Sequence, residues 1–310
     1  MVNSSLTSPG QDVVVYEYVY RVDSADEIED SKLVAVHTDF FDDNQVLSFP
    51  KIGTEMVDAE SGFHQSQATE LDKYIDTVAY TNLKVGETYT ISGVLMDKAT
   101  GEELIIDGKP VTGSTTFVPT EPNGTVEVVY EYDSSALEGY DVVSFEELKR
   151  KDIVVGTHTD ITDESQTVAV FDIHTTVIGT ATGTHEVLAA PNTELKDTVT
   201  YNNLLVDNFT YELRGYLIRK STGQVIPQSD GSMYVAKQFT ITERNGSVDM
   251  YFNVDTSNLK DDEIVVYEEL YANGIKIGEH KDLDDVNQTI YVPGVVSKGI
   301  STVTLPSTLS

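Results

Sequence analysis

The chain repeats itself at a spacing of 121 or 122 residues, and this repeat constrains the fold more than any other feature. A segment that forms a supersecondary unit once is expected to form the same unit wherever it recurs. The matching segments are Asp76–Leu83 with Asp197–Leu204, Gly93–Gly101 with Gly215–Gly223, and His158–Gln166 with His280–Gln288.

A third copy is represented by its closing part alone. Glu17 lies in a Tyr-Glu pair that matches the late strands of the other copies, and His37 stands eight residues before Gln45. We call these segments the N-terminal, middle and C-terminal copies. The predicted division is a truncated copy over 1–50, complete domains over 51–172 and 173–295, and a linker or tail over 296–310.

Each copy has the pattern of β-strands. Short runs rich in Val, Ile, Tyr and Thr alternate with turn signals such as Pro122-Asn123-Gly124 and Arg244-Asn245-Gly246. Long amphipathic helical patterns are absent from the sequence. Strands this short, in domains of about 120 residues, predict an all-β protein of tandem immunoglobulin-like β-sandwiches.

Charge and cysteine content narrow the classes of function. Acidic residues outnumber basic ones 52 to 20, giving a formal net charge of -32. Such a surface repels nucleic acid and anionic lipid, so neither is predicted as a partner. The chain has no cysteine, so disulfides cannot stabilise its domains.

One set of residue types recurs at matching places in the copies. The set comprises a threonine in an early strand, a glutamate in a late strand, and then histidine, aspartate and glutamine around the last turn. The members are Thr77, Glu146, His158, Asp163 and Gln166 in the middle copy; Thr198, Glu268, His280, Asp285 and Gln288 in the C-terminal copy; and Glu17, His37, Asp42 and Gln45, an incomplete site, in the N-terminal copy.

Alternation along the strands predicts which way these side chains point. Glu268 lies between Val266 and Leu270 on one face, and Gln166 shares its face with Val168. A carboxyl on an apolar face resists ionisation, so we expect its pKa to rise. For Thr77 the parity leaves the orientation open.

These residue types together favour one reaction. A threonine hydroxyl is a weak nucleophile that needs a base, which a histidine held by an aspartate supplies. A glutamine amide is a poor electrophile unless a buried, protonated glutamic acid polarises its carbonyl or protonates its nitrogen. The predicted product is an ester between the first and last strands, with ammonia released.

The glutamate strands, Val142–Leu148 and Val265–Leu270, and the His-x-Asp-x-x-Asp-x-x-Gln turns resemble a known family. They are similar to the repeat domains of Gram-positive surface adhesins that carry intramolecular Thr–Gln ester cross-links. The resemblance implies two bonded pairs, with the glutamate, histidine and aspartate of each copy assisting. These pairs are Thr77 with Gln166 and Thr198 with Gln288.

The resemblance also implies a function. The chain would be part of a mechanically tough, protease-resistant stalk attached to the cell wall, with neighbouring domains as its partners and an unidentified host ligand. No cofactor or metal is predicted, and the cross-linking is single-turnover self-catalysis rather than enzyme activity. The alternative is a β-sandwich binding module for a host ligand or glycan, but a ligand site has no reason to recur at identical internal positions.

Overall fold

The structure is a computed structural model that describes residues 10–21, 33–206 and 209–294. Its secondary structure is almost entirely β, and these residues include no α-helix. The chain divides into two compact units, residues 1–171 and 172–310. The predicted all-β fold class is confirmed. The predicted tail, 296–310, lies outside the described residues.

The middle copy is a sandwich of two sheets within the first unit. One sheet has the strand order β12-β7-β5, and the other has the order β11-β8-β13-β15, with β14 added on β13 and β6 added parallel to β15. A short hairpin, β9–β10, lies outside both sheets. The strands are β5 (Lys51–Asp58), β6 (Gln65–Gln67), β7 (Asp72–Thr81), β8 (Tyr89–Asp97), β9 (Ile105–Ile106), β10 (Lys109–Pro110), β11 (Thr112–Phe117), β12 (Gly124–Tyr132), β13 (Asp141–Arg150), β14 (Ile153–His158) and β15 (Thr167–Gly179).

The C-terminal copy repeats this arrangement in the second unit. The later part of β15 pairs with β16, which pairs with β20, while the other sheet has the order β18-β17-β21-β22 with β19 on β17 and β23 on β21. The strands are β16 (Thr193–Asn202), β17 (Tyr211–Arg219), β18 (Gln224–Ile226), β19 (Val235–Phe239), β20 (Gly246–Val254), β21 (Asp262–Ala272), β22 (Ile275–His280) and β23 (Thr289–Val292).

The N-terminal copy contributes two short antiparallel ladders, β1 with β4 and β2 with β3. Their pairing matches that of β13 with β15 and of β13 with β14 in the middle copy. A single 3-10 turn precedes the last strand of every copy. The strands are β1 (Asp12–Val14), β2 (Glu17–Tyr20), β3 (Leu33–His37) and β4 (Val46–Ser48), and the three turns are Asp43–Gln45, Glu164–Gln166 and Val286–Gln288.

Burial along the strands has a period of two, as expected where one face of a sheet packs on the core and the other meets water. In β7 the even-numbered residues from Asp72 to Tyr80 are buried and the residues between them are more exposed. Large side chains such as Tyr74, Ile91, Leu95 and Leu148 fill the space between the sheets of the middle copy. Polar side chains in an inward position of such a strand must therefore find partners inside the core.

Among the described residues, no helix has the length and apolar character that a membrane crossing requires.

Substitution of Leu148 tests this packing. Leu148 is 1% exposed in β13, whereas Val154 in the neighbouring strand β14 is 45% exposed. Leu148→Ala is expected to lower the free energy of unfolding by about 2–5 kcal/mol, because it leaves a cavity between the sheets. Val154→Ala, the control, should change it by no more than about 0.5 kcal/mol. Urea denaturation followed by fluorescence measures both, and equal effects would contradict the assigned core.

Candidate functional site

The glutamate and histidine of each copy face one another across adjacent strands. The register pairs Glu146 with His158 between β13 and β14, and Glu268 with His280 between β21 and β22. In the N-terminal copy it pairs Glu17 with His37. Each glutamate thus stands at the same point of its ladder, which explains why the residues recur at fixed spacing. Glu146 and Glu268 are fully buried, whereas Glu17 is exposed.

The aspartate of each copy organises the last turn. Asp163 Oδ1 accepts a hydrogen bond from the Ser165 amide, which caps the 3-10 turn, and its Oδ2 lies 3.0 Å from His158 Nε2. Although its partial burial acts against ionisation, hydrogen bonds from Ser165 and the nearby imidazole hold the pKa of Asp163 below its ordinary value. One carboxylate therefore fixes both the turn that presents the glutamine and the orientation of the histidine.

The same contacts recur in the other two copies. Asp285 caps its turn and lies 3.6 Å from His280 Nε2, and Asp42 lies 2.9 Å from His37 Nε2. In the two complete copies the other imidazole nitrogen, Nδ1, is buried and has no hydrogen-bond partner among the described residues. An imidazole whose Nε2 is held by a carboxylate keeps Nδ1 as its acceptor.

The turn directs each glutamine into the core beside the glutamate. Gln166 Nε2 donates to Glu146 Oε2 at 2.6 Å, and Gln288 Nε2 donates to Glu268 Oε2 at 2.8 Å. Both glutamines are fully buried. Their carbonyl oxygens, and that of Gln45 in the N-terminal copy, have no donor among the described residues. An amide in this setting has its nitrogen bonded to an acid and its carbonyl unsatisfied, which is a costly arrangement for a purely structural side chain.

Two aspartates that the sequence analysis did not select complete the buried site. Asp76 in β7 and Asp197 in β16 are 0% exposed and are hydrogen-bonded to Glu146 and Glu268, respectively. Two carboxylates cannot bond to one another without a proton, so each pair holds a proton between its members. Asp76 Oδ1, Asp197 Oδ2 and Glu268 Oε1 have no other donor among the described residues, which is the pattern that a shared proton leaves.

The pKa values of the buried carboxyls follow from this arrangement. Burial, together with the neighbouring Asp76 carboxyl, raises the pKa of Glu146 to about 10. Burial also raises the pKa of Glu268 well above its ordinary value, and Asp197 adds to the effect. The pKa values of Asp76 and Asp197 are raised too, chiefly by burial, although hydrogen bonds act to lower them. In each pair the glutamate is therefore the protonated acid at neutral pH.

The threonine beside each pair is not the one predicted from the sequence. Thr175 in β15 is 3% exposed, and its hydroxyl donates to Asp197 Oδ1 at 2.8 Å. Thr54 occupies the equivalent place in β5: it is 8% exposed and lies near Asp76, and its buried hydroxyl has no hydrogen-bond partner among the described residues. Ser165, which precedes Gln166 in the turn, donates from its hydroxyl to the Thr54 carbonyl at 3.1 Å, so the turn is joined to β5.

The structure contradicts the pairing of Thr77 with Gln166 and of Thr198 with Gln288. Asp76 and Thr77 are consecutive residues of one strand, so their side chains point to opposite faces, and it is Asp76 that enters the core. Thr198 likewise lies on the outer face of β16, where its hydroxyl donates to Asp249 at 2.8 Å. The structure also brings Asp197, rather than His280, to a threonine hydroxyl.

The C-terminal copy therefore carries an unbroken series of contacts from a hydroxyl to an amide, and the middle copy has the same groups in the same order. In the C-terminal copy the series passes from Thr175 through Asp197 and Glu268 to Gln288. A hydroxyl beside a base on one strand, and an amide beside an acid in a turn of the same domain, form a site for internal cross-linking.

Comparison with known proteins agrees with this class of site. A family model described as "T-Q ester bond containing domain" matches residues 2–49, 50–170 and 171–292. The chain belongs to this family, and the three matches show that it is built from repeated domains.

Comparisons with whole proteins are more distant. No curated protein matches the chain. A bacterial adhesin from Mobiluncus mulieris containing intramolecular disulfide, isopeptide and ester bond cross-links is 14% identical, with a TM-score of 0.35, covering 71% of this chain and 81% of that one. The C-terminal domain of the AgI/II polypeptide BspA from Streptococcus agalactiae is 9% identical, with a TM-score of 0.31, covering 75% and 98%.

The buried acids predict a pH-dependent stability for a chain that cannot cross-link. The folded double variant Thr54→Ala/Thr175→Ala keeps protons on Glu146 and Glu268 that the unfolded chain releases above about pH 4.5. Since the folded state then binds more protons, its stability is greatest at acid pH and falls as pH rises toward the raised pKa values. Scanning calorimetry between about pH 5 and about pH 9 should show a falling melting temperature.

The control for this experiment removes the acids. Adding Glu146→Gln and Glu268→Gln to the same background should flatten the dependence, because a neutral amide does not titrate in this range. A melting temperature that rises with pH in the double variant, or the same slope in both proteins, would contradict the protonated state of these glutamates.

Proposed function

We propose that each complete copy closes an ester bond, Thr54 to Gln166 and Thr175 to Gln288, and that the chain is part of the stalk of a bacterial cell-surface adhesin. The observation that carries the proposal is the continuous contact path in the C-terminal copy, from the Thr175 hydroxyl through two carboxyls to the Gln288 amide, which the equivalent residues of the middle copy repeat in order.

The contact path also provides a route for the proton. The threonine oxygen attacks the glutamine Cδ and gives its proton to the adjacent aspartate. The protonated glutamate hydrogen-bonded to the amide nitrogen protonates that nitrogen as the C–N bond breaks. Ammonia leaves, an ester remains, and the proton on the aspartate restores the one that the glutamate has given up. The carboxyl pair thus begins and ends with one proton, and each site acts once.

The histidine and its aspartate have a supporting role in this scheme. When it carries a proton on both nitrogens, the imidazole of His158 favours the ionised form of Asp76, and that of His280 does the same for Asp197. An aspartate must be ionised to accept the threonine proton. The capped turn meanwhile holds the glutamine against the glutamate. The imidazole therefore prepares the base, while the aspartate is the group that contacts the nucleophile.

The position of the bonds supports a stalk. Each joins the first strand of a domain to the residue directly before its last strand, so it bridges the two places at which tension enters. Repetition of the same internal site suits a load-bearing series of domains. In this proposal the partners are neighbouring domains of the same protein and the cell wall that anchors it, outside the cell. The protein contributes no multi-turnover enzyme activity.

Intact mass tests the bonds directly. Each ester releases one ammonia, so the purified chain should be lighter than its sequence by about 17 Da per bond, or about 34 Da for two. Thr54→Ala and Thr175→Ala should each abolish one loss, because each removes a nucleophile. Thr77→Ala and Thr198→Ala are matched controls on the outer faces of the next strands and should leave both losses intact. A wild-type chain at its unmodified mass would refute the proposal.

The bonds should also stabilise the domains. By analogy with a disulfide that closes a loop of about 100 residues, each is expected to add roughly 4–5 kcal/mol, less any native-state strain. The double variant Thr54→Ala/Thr175→Ala should therefore melt at a lower temperature and be cut faster by protease than wild type. The double variant Thr77→Ala/Thr198→Ala is the control. Equal melting and cleavage of wild type and Thr54→Ala/Thr175→Ala would argue against a stabilising role.

A further inference from the structure

The two complete sites differ in the side chains that surround their carboxyl pairs. In the middle copy, Tyr130 donates from its hydroxyl to Glu146 Oε1 at 3.4 Å, and Ser144 donates from its hydroxyl to Asp76 Oδ2 at 3.1 Å. The equivalent residues of the C-terminal copy, 122 positions later, are Phe252 and Val266. Neither has a hydroxyl, so the second pair lacks both donors.

The tyrosine reaches its pair because the facing strand provides room. Glu146 lies opposite Gly93 in β8, and a Cβ at that position would be 1.8 Å from the Tyr130 hydroxyl. The corresponding Gly215 makes the same space in the C-terminal copy, where the ring of Phe252 fills it. Tyr130, Ser144, Phe252 and Val266 are all fully or almost fully buried. The glycine is thus common to both copies, and the hydroxyls distinguish them.

We propose that Tyr130 and Ser144 are positioning residues that set the pH range over which the middle copy forms its ester bond, and that the C-terminal copy forms its bond over a range displaced to higher pH. The inference rests on the proposed cross-linking function and deepens it. It assigns to each domain its own pH range for ester formation.

The physical reason lies in which protonation states the hydroxyls favour. The reaction needs an ionised aspartate and a protonated glutamate, so its rate falls below the pKa of the first and above that of the second. A hydroxyl that donates to a carboxylate stabilises the charged form and lowers the pKa. We call the pH below which a bond stops forming its acid limit and the pH above which it stops forming its alkaline limit. Ser144 therefore moves the acid limit of the middle bond to lower pH, and Tyr130 moves its alkaline limit to lower pH.

Other charged groups near the pairs are common to both copies, with the exception of His174, whose ring centroid lies 6.1 Å from that of His280 and whose place in the middle copy is taken by Gly53. The variants at positions 144 and 266 leave His174 in place, so they separate its effect from that of the hydroxyls. A histidine lies near each aspartate and favours its ionised form, and each aspartate faces its glutamate. Acidic residues also occupy matching places in the two copies: Asp163 and Asp285 lie beside the histidines, and Glu127 and Asp249 lie opposite Thr77 and Thr198. The facing groups are Glu146 and His158 for Asp76; Asp76 and Tyr130 for Glu146; Glu268, His280 and Asp249 for Asp197; and Asp197 and Asp285 for Glu268.

The test follows both bonds in the same molecule. The full chain is made by cell-free translation, exchanged rapidly into buffers between about pH 4 and about pH 11, and quenched with acid and denaturant at intervals. Peptide mass spectrometry then measures the fraction of each ester. In wild type, the acid limit of the middle bond is expected about one pH unit below that of the C-terminal bond, the size expected for one hydrogen bond to a charged group.

Reciprocal variants assign the difference to the hydroxyls. Ser144→Val should raise the acid limit of the middle bond by about one pH unit, and Val266→Ser should lower that of the C-terminal bond by a similar amount. Ser144→Thr, which keeps the hydroxyl, should behave as wild type. Tyr130→Phe should raise the alkaline limit of the middle bond and leave the C-terminal bond unchanged.

Tyr132→Phe is the matched control. Tyr132 is buried in the same strand as Tyr130, but its ring packs on Tyr74 rather than beside the carboxyl pair. It should leave both profiles unchanged. Coincident acid limits in wild type, together with no shift in Ser144→Val or Val266→Ser, would overturn the inference while the proposed function stands. Absence of both esters at every pH would instead refute the proposed function itself, and this inference with it.

Discussion

The buried contact between an aspartate and a glutamate is the interaction on which each complete domain depends. Two carboxyls placed between sheets would repel one another if both were ionised, and solvation by water is lost there. One shared proton removes the repulsion and leaves the aspartate as a base and the glutamate as an acid. The aspartate of each copy then faces a threonine and the glutamate a glutamine. The two members of each pair come from opposite sheets, so their contact also joins the two layers of the sandwich.

The surrounding shell explains why several polar side chains are required rather than one. The glutamine must be held with its carbonyl unsatisfied, which the capped 3-10 turn achieves through Asp163 or Asp285. The same aspartates orient the histidines beside the carboxyl pairs. The buried polar groups, which cost free energy of folding, thus lie together where they can take part in a reaction. This agrees with the tendency of acids with perturbed pKa values to cluster at functional sites.

Much of the fold could be predicted from the sequence, because the repeat and the period-two alternation are local signals. They also located Glu146, Glu268 and the turn residues, which are close in sequence and occur in every copy. The threonine was missed because the conspicuous Asp-Thr-Val segment drew the assignment to Thr77, although alternation placed Asp76 on the side of Val78. Thr54 and Thr175 also recur 121 residues apart, flanked by apolar residues two positions away, but contact with the carboxyl pair depends on strand order, which no local pattern specifies.

Strand β15 begins directly after Gln166 and carries Thr175, so eight residues separate the bonding residues of successive domains. With both esters closed, a pulling force would pass from Thr54 to Gln166, along this strand to Thr175, and on to Gln288. Without the esters, unfolding of both domains would let the intervening backbone, about 230 residues, extend to roughly 800 Å. With them, the only backbone under load is one extended segment of about 30 Å. Such a tether has almost no hidden length, so it would transmit a sudden load to its ends instead of absorbing it by unfolding.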